Sequence, residues 1–444
     1  MIYCKGKAMT QPTLLLSPVK SAISAQGGTL EVMLRVQAPD QPVEGKTKTI
    51  HKRLALVVDR SGSMDGQPLT EALRCVAHIA SCMTPQDQMS VVVYDDDVNV
   101  LVPMAPVKSA DAIRHALAGV ESGGSTDLFG GWEAGARQLE GGVDTSISRV
   151  ILLSDGQANH GLCDQAEIEK HCRSWLAKGV STTTVGLGHG FNEDLMIAMA
   201  RAGGGQQYYG QKAEDLYDSF DEEFSLLKAL CLRQLDIKLI AAPGVIIETV
   251  GLVQQNPDGS YRLSDLAWGA EAWLMLRLHI SPSAAGDNRD LLAASLQAQT
   301  LDGQTVKAHA AMLCLPAVEL SAFAALPMDE AVERRLQELE FAQASETLRQ
   351  LVQRGDTRAA HAMMAALDKR FAQNPWLRDK LVRLRTLANE DTQMMSKEIR
   401  FSAMRMSNRL TQKSEVAYAC DETNLSIPAF LRKKVEEGKG RRQK

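Results

Sequence analysis

The run Leu54-Ala55-Leu56-Val57-Val58-Asp59-Arg60-Ser61-Gly62-Ser63 decides how this chain reads. Five consecutive apolar residues fit a short strand buried on both faces, as in a mostly parallel sheet covered by helices. The run then stops on a carboxylate, and Ser61 and Ser63 follow at alternate positions, so that their oxygens point the same way. A helix is expected over 67–83. Pro68 suits its first turn, and Leu69, Leu73, Val76, Ala77 and Ala80 fall on one face. In open α/β sheets, ligands bind outside the carboxyl ends of the strands, which is where this loop lies.

Working outward, strand and helix alternate to about residue 230. Strands are expected at 89–94 and 98–102, joined by the hairpin turn Asp95-Asp96-Asp97, and again at 149–153, 180–187 and 206–209. Helices are expected at 110–118, 128–139, 164–177, 193–200 and 213–230. The pattern implies an α/β, doubly wound, mostly parallel sheet over 51–230. Residues 1–50 and 231–317 read instead as strands and tight turns. Runs at 14–19, 29–36, 273–280 and 291–298 have strand length, and Asp258-Gly259 and Asp302-Gly303 look like hairpin turns. These two stretches are expected to form one β-sandwich into which the α/β domain is inserted. From 318 to 413 the chain turns helical, with helices near 328–354, 357–373 and 376–412. Gly355-Asp356 and Asn374-Pro375 supply the stop and start signals. Leu336, Leu339, Ala342, Leu348 and Leu351 sit at helical spacing and read as packing residues of a bundle on the sandwich. Residues 414–444 read as a flexible tail.

The bulk properties narrow the function classes. The 444 residues hold 49 basic and 54 acidic side chains, a net charge of −5. That balance gives nucleic acid no global attraction, and no apolar run approaches the roughly 20 residues of a membrane span. The N-terminal residues show no signal-peptide pattern, and the eight cysteines are scattered. Reduced thiols in a cytoplasm are the expectation.

Two further loops should lie at the same sheet edge as Asp59: Gly123-Gly124-Ser125-Thr126-Asp127 and Leu153-Ser154-Asp155-Gly156. Asp59, Ser61, Ser63, Thr126 and Asp155 together offer carboxylates and hydroxyls only. Hard oxygen donors suit Mg²⁺, or Mn²⁺ or Ca²⁺, and not zinc. Five protein groups, some acting through water, leave a coordination position open. A partner's Asp or Glu would complete the shell. For any one of these elements alone an ordinary capping turn is the better reading. All five in order make that reading weak.

This pattern resembles the metal-ion-dependent adhesion site of von Willebrand factor A (VWA) domains, with its Asp-x-Ser-x-Ser, distant Thr and distant Asp. The resemblance covers roughly residues 50–230, and the flanking sandwich resembles bacterial members that carry such a domain. It implies a doubly wound sheet with one antiparallel edge strand and metal-mediated protein binding. It also implies that Asp59, Ser61 and Ser63 contact the metal, Thr126 binds directly or through water, and Asp155 acts mostly through water. Arg60 could meet the partner's carboxylate, but solvent is its more ordinary surrounding.

Other candidates were weighed. His160, Cys163, His171 and Cys172 offer zinc-binding side chains, but not at a finger spacing, and 164–177 reads better as an amphipathic helix. Gly186-Leu187-Gly188-His189-Gly190 lacks the lysine of a phosphate loop and reads as a turn. The tail holds a second possible recognition element, Ile427-Pro428-Ala429-Phe430-Leu431-Arg432 followed by Lys433-Lys434. An apolar anchor with a basic flank can dock in a groove. The segment resembles the C-terminal peptide of the bacterial tubulin-like division protein FtsZ, which implies a division-type partner held by Ile427, Pro428, Phe430, Leu431 and Arg432. Asn424 and Ser426 depart from the acidic residues common before that core. Folding back onto the protein's own surface is the alternative, weighed as equal.

The expected function is therefore a non-enzymatic adaptor that engages a partner's Asp or Glu through a divalent metal, with Mg²⁺ first and Mn²⁺ or Ca²⁺ next. The alternatives are a substrate-recruiting subunit of an AAA+ ATPase or of a kinase–phosphatase system, and, less well supported, a metal-dependent phosphohydrolase.

Overall fold

A computed structural model describes residues 11–40, 51–141, 146–413, 415 and 418–439. The run quoted above is the inner strand His51–Asp59 of a six-stranded sheet. Its neighbours are Gln88–Tyr94 and Ser146–Ser154, both parallel to it. Val180–Leu187 and Gly204–Gly210 extend the parallel side, and Val98–Pro106 closes the other edge antiparallel. Leu54 to Val58 are all buried, as expected of a strand covered on both faces.

Helices Gln67–Cys82 and Leu216–Ala229 contribute to one core with this sheet, while Leu128–Gln138, Gln165–Ala177 and Glu193–Ala202 pack into a second core on the other face. Helix Leu128–Gln138 lies unusually close to the strands. A Cβ at Gly131 would come within 2.4 Å of the Tyr94 ring, and one at Gly135 within 2.4 Å of Val57 Cγ2. Two mid-helix glycines, unfavourable by propensity, are thus required by the approach. They bring the start of this helix, and Thr126 just before it, down onto the sheet edge.

The flanking segments build two antiparallel sheets. Strand Gly28–Gln37 pairs with Ala270–Ile280 from Gly28↔Ile280 to Gln37↔Glu271, so segments separated by the whole α/β region lie side by side. Thr13–Pro18 and Val245–Val250 complete that layer. Leu230–Ala241, Asn288–Thr300, Thr305–His309 and Leu313–Val318 lead the second. Both layers share one core with the inner face of the α/β sheet, including Leu34, Leu276, Ile237 and Leu296. Gly259 and Gly303 have φ of 81°, as their turns require.

The C-terminal region holds helices Glu330–Gln353, Thr357–Arg370, Pro375–Glu390 and Thr392–Asn408. The long third helix expected over 376–412 is in fact two. Asp391 adopts φ −156°, and its side chain accepts from Met394 N, so it ends one helix and caps the next. Among the described residues no helix is long and apolar enough to cross a membrane.

The tail departs most from expectation. Residues 418–439 pack against the rest of the chain instead of lying free. Phe430 and Leu431 are 6% and 5% exposed. Lys433 Nζ lies 2.9 Å from Glu415 Oε1, and Lys434 Nζ lies 2.8 Å from Glu222 Oε2 on helix Leu216–Ala229. Trp376 Nε1 donates to Lys434 O at 2.9 Å. The basic flank finds its acids within the molecule, and that is the physical reason for the docking. Arg441, Arg442 and Lys444 of the same basic run lie outside the described residues, as do 1–10 and 41–50.

Candidate metal centre

Each of the five oxygen-bearing residues sits where a strand or helix of the α/β sheet ends. Asp59 closes the inner strand and is fully buried. Both of its oxygens are held. Ser61 N donates to Oδ1 at 2.8 Å, and Ser154 Oγ donates to Oδ2 at 2.6 Å. Ser61 Oγ lies 3.2 Å from Ser63 Oγ, and Ser63 Oγ donates to Asp155 Oδ1 at 2.6 Å. Thr126 is 3% exposed, and its N–H donates to Asn159 Oδ1 at 2.9 Å. Asp59, Ser61 and Thr126 form a buried floor, while Ser63 and Asp155 reach towards solvent.

Gly156 marks the point on which three loops converge. A Cβ there would lie 3.3 Å from Thr126 Oγ1, 3.5 Å from Ser63 Oγ and 3.9 Å from Asp59 Oδ2. The neighbouring loops are knitted to hold this spacing. Gly62 N donates to Gly124 O at 3.3 Å and Gly123 N to Arg60 O at 2.9 Å. Asn159 N and His160 N both donate to Thr126 O.

The donor set fits a hard divalent cation. Adjacent oxygens around Mg²⁺, each at about 2.1 Å, are about 3 Å apart. The observed 3.2 Å between the serine hydroxyls and 2.6 Å between Ser63 and Asp155 bracket that spacing. The electrostatics agree. Burial raises the Asp155 carboxyl to about 6, with the nearby Asp59 charge adding to the rise and the Ser63 hydrogen bond opposing it. Burial likewise raises Asp59 against the hydrogen bonds from Ser154 and Ser61. Two partly desolvated carboxylates raised in this way are relieved by positive charge. Arg60 does not supply it: its guanidinium, on a side chain 25% exposed, pairs with Asp95 Oδ2 at 3.0 Å.

Ser154, Asn159 and Gly156 are not among the oxygen donors read from the sequence, although Ser154 and Gly156 lie in a loop placed at this edge. Ser154 becomes visible once strand register is known, because Val58 pairs with Leu153 and Asp59 therefore neighbours Ser154. The His160, Cys163, His171 and Cys172 set is not brought together for zinc. Cys172 is fully buried in the core, and burial pushes its thiol well above the ordinary range. Cys163 donates to backbone carbonyls, and His171 meets Phe129 edge-on, with ring centroids 4.9 Å apart. Among the described residues no three His, Cys, Asp or Glu side chains cluster as a metal site. Any cation at the Asp59 site would depend on the hydroxyls as well as the two carboxylates.

Comparison with known proteins agrees with the fold. Residues 54–222 match the model of the von Willebrand factor type A domain. An uncharacterized protein of Synechocystis sp. is 25% identical over 289 residues, covering 62% of this chain and 68% of its own length. Human inter-alpha-trypsin inhibitor heavy chain H4 is 25% identical over 239 residues, which is 48% of this chain but only 26% of that protein. A solved von Willebrand factor type A protein from Catenulispora acidiphila superposes with a TM-score of 0.65 over 92% of this chain and 98% of its own, at 15% identity. That likeness concerns the fold alone, and it extends over the antiparallel sheets and C-terminal helices as well as the α/β core. Residues 54–222 are thus a von Willebrand factor type A domain, a kind of module that typically binds proteins.

Proposed function

We propose that this von Willebrand factor type A protein is an adaptor that binds a partner protein through a divalent metal held by Asp59, Ser61, Ser63, Thr126 and Asp155. The observation that carries the reading is the convergence at Gly156, where oxygens of Asp59 and Ser63 from one loop and of Thr126 from another lie within 3.3–3.9 Å of one point on the Asp155 loop. A bound divalent ion would supply an electrophilic position for a carboxylate. The chain's own residues set the rest. Ser154 and the Ser61 amide orient Asp59. The Asn159 contacts hold Thr126 in place. Ser63 and Asp155 form the solvent-facing side where a partner Asp or Glu can approach. Mg²⁺ is the first choice, with Mn²⁺ or Ca²⁺ able to use the same oxygen donors. The exposed thiols of Cys163 and Cys314, which carry no disulfide, suit a cytoplasmic setting.

Titration calorimetry of the full chain with MgCl₂ and MnCl₂ tests the site. Saturable binding is expected for the wild type and its loss for Asp59→Ala. Partner capture is then compared in Mg²⁺ and in EDTA. Absence of binding in the wild type, equal binding by Asp59→Ala, or partners retained equally in EDTA would each refute the proposal.

A further inference from the structure

The residues that brace the metal centre do not all lie in the α/β domain. The loop 188–192, between strand Val180–Leu187 and helix Glu193–Ala202, abuts the Asp155 turn. A Cβ at Gly190 would come within 2.7 Å of Asp155 O, so the two backbones are already in close contact. Gln157 Nε2 donates to Gly190 O at 2.5 Å and ties the two loops together. The loop is in turn gripped from helix Thr392–Asn408, which lies outside the matched domain. Lys397, 3% exposed, donates from Nζ to Phe191 O at 2.9 Å and to Glu193 Oε2 at 2.8 Å. The same ammonium sits 4.0 Å from the centroid of the Phe191 ring. That ring is fully buried, and it fills the space that a side chain at Gly186 would need. His189 Nε2 lies 2.8 Å from Asp391 Oδ2 at the cap of the same helix.

We infer that Lys397 is a positioning residue for the metal centre, fixing the 188–192 loop against the backbone of Asp155 so that the C-terminal helices form part of the site's scaffold. The inference rests on the proposed metal-binding role and deepens it. A buried ammonium with two oxygen partners and a ring beneath it is held in one geometry. The loop it holds leaves Asp155 little room to retreat. Groups that orient ligands without touching the metal typically alter affinity by about 10–100-fold. Binding linkage is reciprocal, so metal binding should also steady the 188–192 loop.

The experiment measures Mg²⁺ affinity of the full-length protein by calorimetry for wild type, Lys397→Met, Lys397→Arg and Gly190→Ala. Hydrogen exchange of the 188–192 amides is followed with and without Mg²⁺. Lys397→Met is expected to weaken Mg²⁺ about tenfold or more. Lys397→Arg, which keeps the donors, should restore most of that. Mg²⁺ should slow exchange in the loop of the wild type and not in Lys397→Met. Gly190→Ala presses on Asp155 O directly and keeps the test open if Lys397→Met fails to fold. Its weakened Mg²⁺ binding supports the inference. Wild-type binding with unchanged affinity in Gly190→Ala and in any folded Lys397→Met overturns the inference alone. So does a loss in Lys397→Met that Lys397→Arg shares in full. No Mg²⁺ binding by the wild type overturns the metal-binding proposal and this inference together.

Discussion

Gly156→Ala is the sharpest probe of the proposed metal centre, because it adds one methyl group at the point where the oxygens meet. Gly156 is not among the glycines with positive φ, so alanine meets no backbone strain there. The new carbon would sit 3.3 Å from Thr126 Oγ1 and 3.5 Å from Ser63 Oγ. Those contacts ask the hydroxyls to move by a few tenths of an ångström at most, so the metal-free fold should change in stability by no more than about 1 kcal/mol. Metal binding is different. Mg²⁺ demands near-octahedral oxygens at about 2.0–2.1 Å, and a methyl group on the side the oxygens share displaces one of them or blocks a coordinated water. A loss of about 10–100-fold in affinity is expected, equal to about 1.4–2.7 kcal/mol. At a Mg²⁺ concentration one hundred times the wild-type Kd, the wild type gains about 2.7 kcal/mol from the ion, and a hundredfold weaker variant about 0.4 kcal/mol. Unfolding of both proteins with and without Mg²⁺, alongside calorimetry, reads this difference. If Gly156→Ala folds and takes Mg²⁺ with wild-type affinity, the point beside Gly156 is not where the cation sits.

Two predictions concern the docked tail. Phe430 faces Tyr208, Leu226 and Leu410 and is almost fully buried. Phe430→Ala should therefore weaken docking by about 3 kcal/mol and raise the undocked population about a hundredfold. Tryptic cleavage at Arg432, Lys433 and Lys434 should accelerate accordingly, and an unchanged cleavage rate would contradict the packing described. Burial acts to raise the Glu415 carboxyl, but the charges of Arg409 and Arg335 outweigh it and hold it far below the usual carboxylate range. A folded-state pKa below the unfolded one gives stability that is present above the unfolded value, about 4.3, and lost as pH falls below it. Exchange protection at 430–435 should be flat from pH 8 to 5 and decline under about pH 4.5, and Glu415→Gln should remove that decline.

How far the sequence could be read follows from what each feature depends on. The inner strand, the Asp95–Asp97 turn and the capped helices at 330, 357 and 375 rest on local patterns, and they lie close to where those patterns put them. The five candidate oxygen donors could be picked out for a related reason. Asp59, Ser61 and Ser63 are neighbours in the chain, and Thr126 and Asp155 each fall at an element boundary that the pattern marks. What failed depends on contacts between distant segments. Asp391 looked like one more polar residue of a helix until its capping of Met394 and its pairing with His189 were seen. Arg60 looked solvent-facing because Asp95 is 35 positions away. For the basic tail an external partner and the protein's own surface stayed equally open, because Glu222 and Glu415, which neutralise Lys434 and Lys433, carry no local sign that they face it.

The charge around the proposed metal centre adds a requirement that the five candidate donors alone do not contain. The loops at this edge, 59–67, 95–97, 118–128, 155–164, 188–192 and 211–215, hold eleven Asp or Glu and two Lys or Arg. The rest of the chain then holds 47 basic against 43 acidic residues, from totals of 49 and 54. One of the two basic residues at the edge, Arg60, is already paired with Asp95. A wholly acidic partner surface would be repelled everywhere except at the metal. On the proposed function, the partner must present its single Asp or Glu from an otherwise cationic face, which the acidic rim would attract and the metal would orient. Rim charges act mainly on the rate of association and are screened over about 10 Å at 0.1 M salt. Raising ionic strength from 0.05 to 0.5 M in saturating Mg²⁺ should therefore slow association about tenfold or more while leaving dissociation nearly unchanged. Asp96→Lys combined with Asp97→Lys should slow it further at low salt. A partner whose association is indifferent to salt, or is speeded by those lysines, would show that the acidic rim plays no part in recognition.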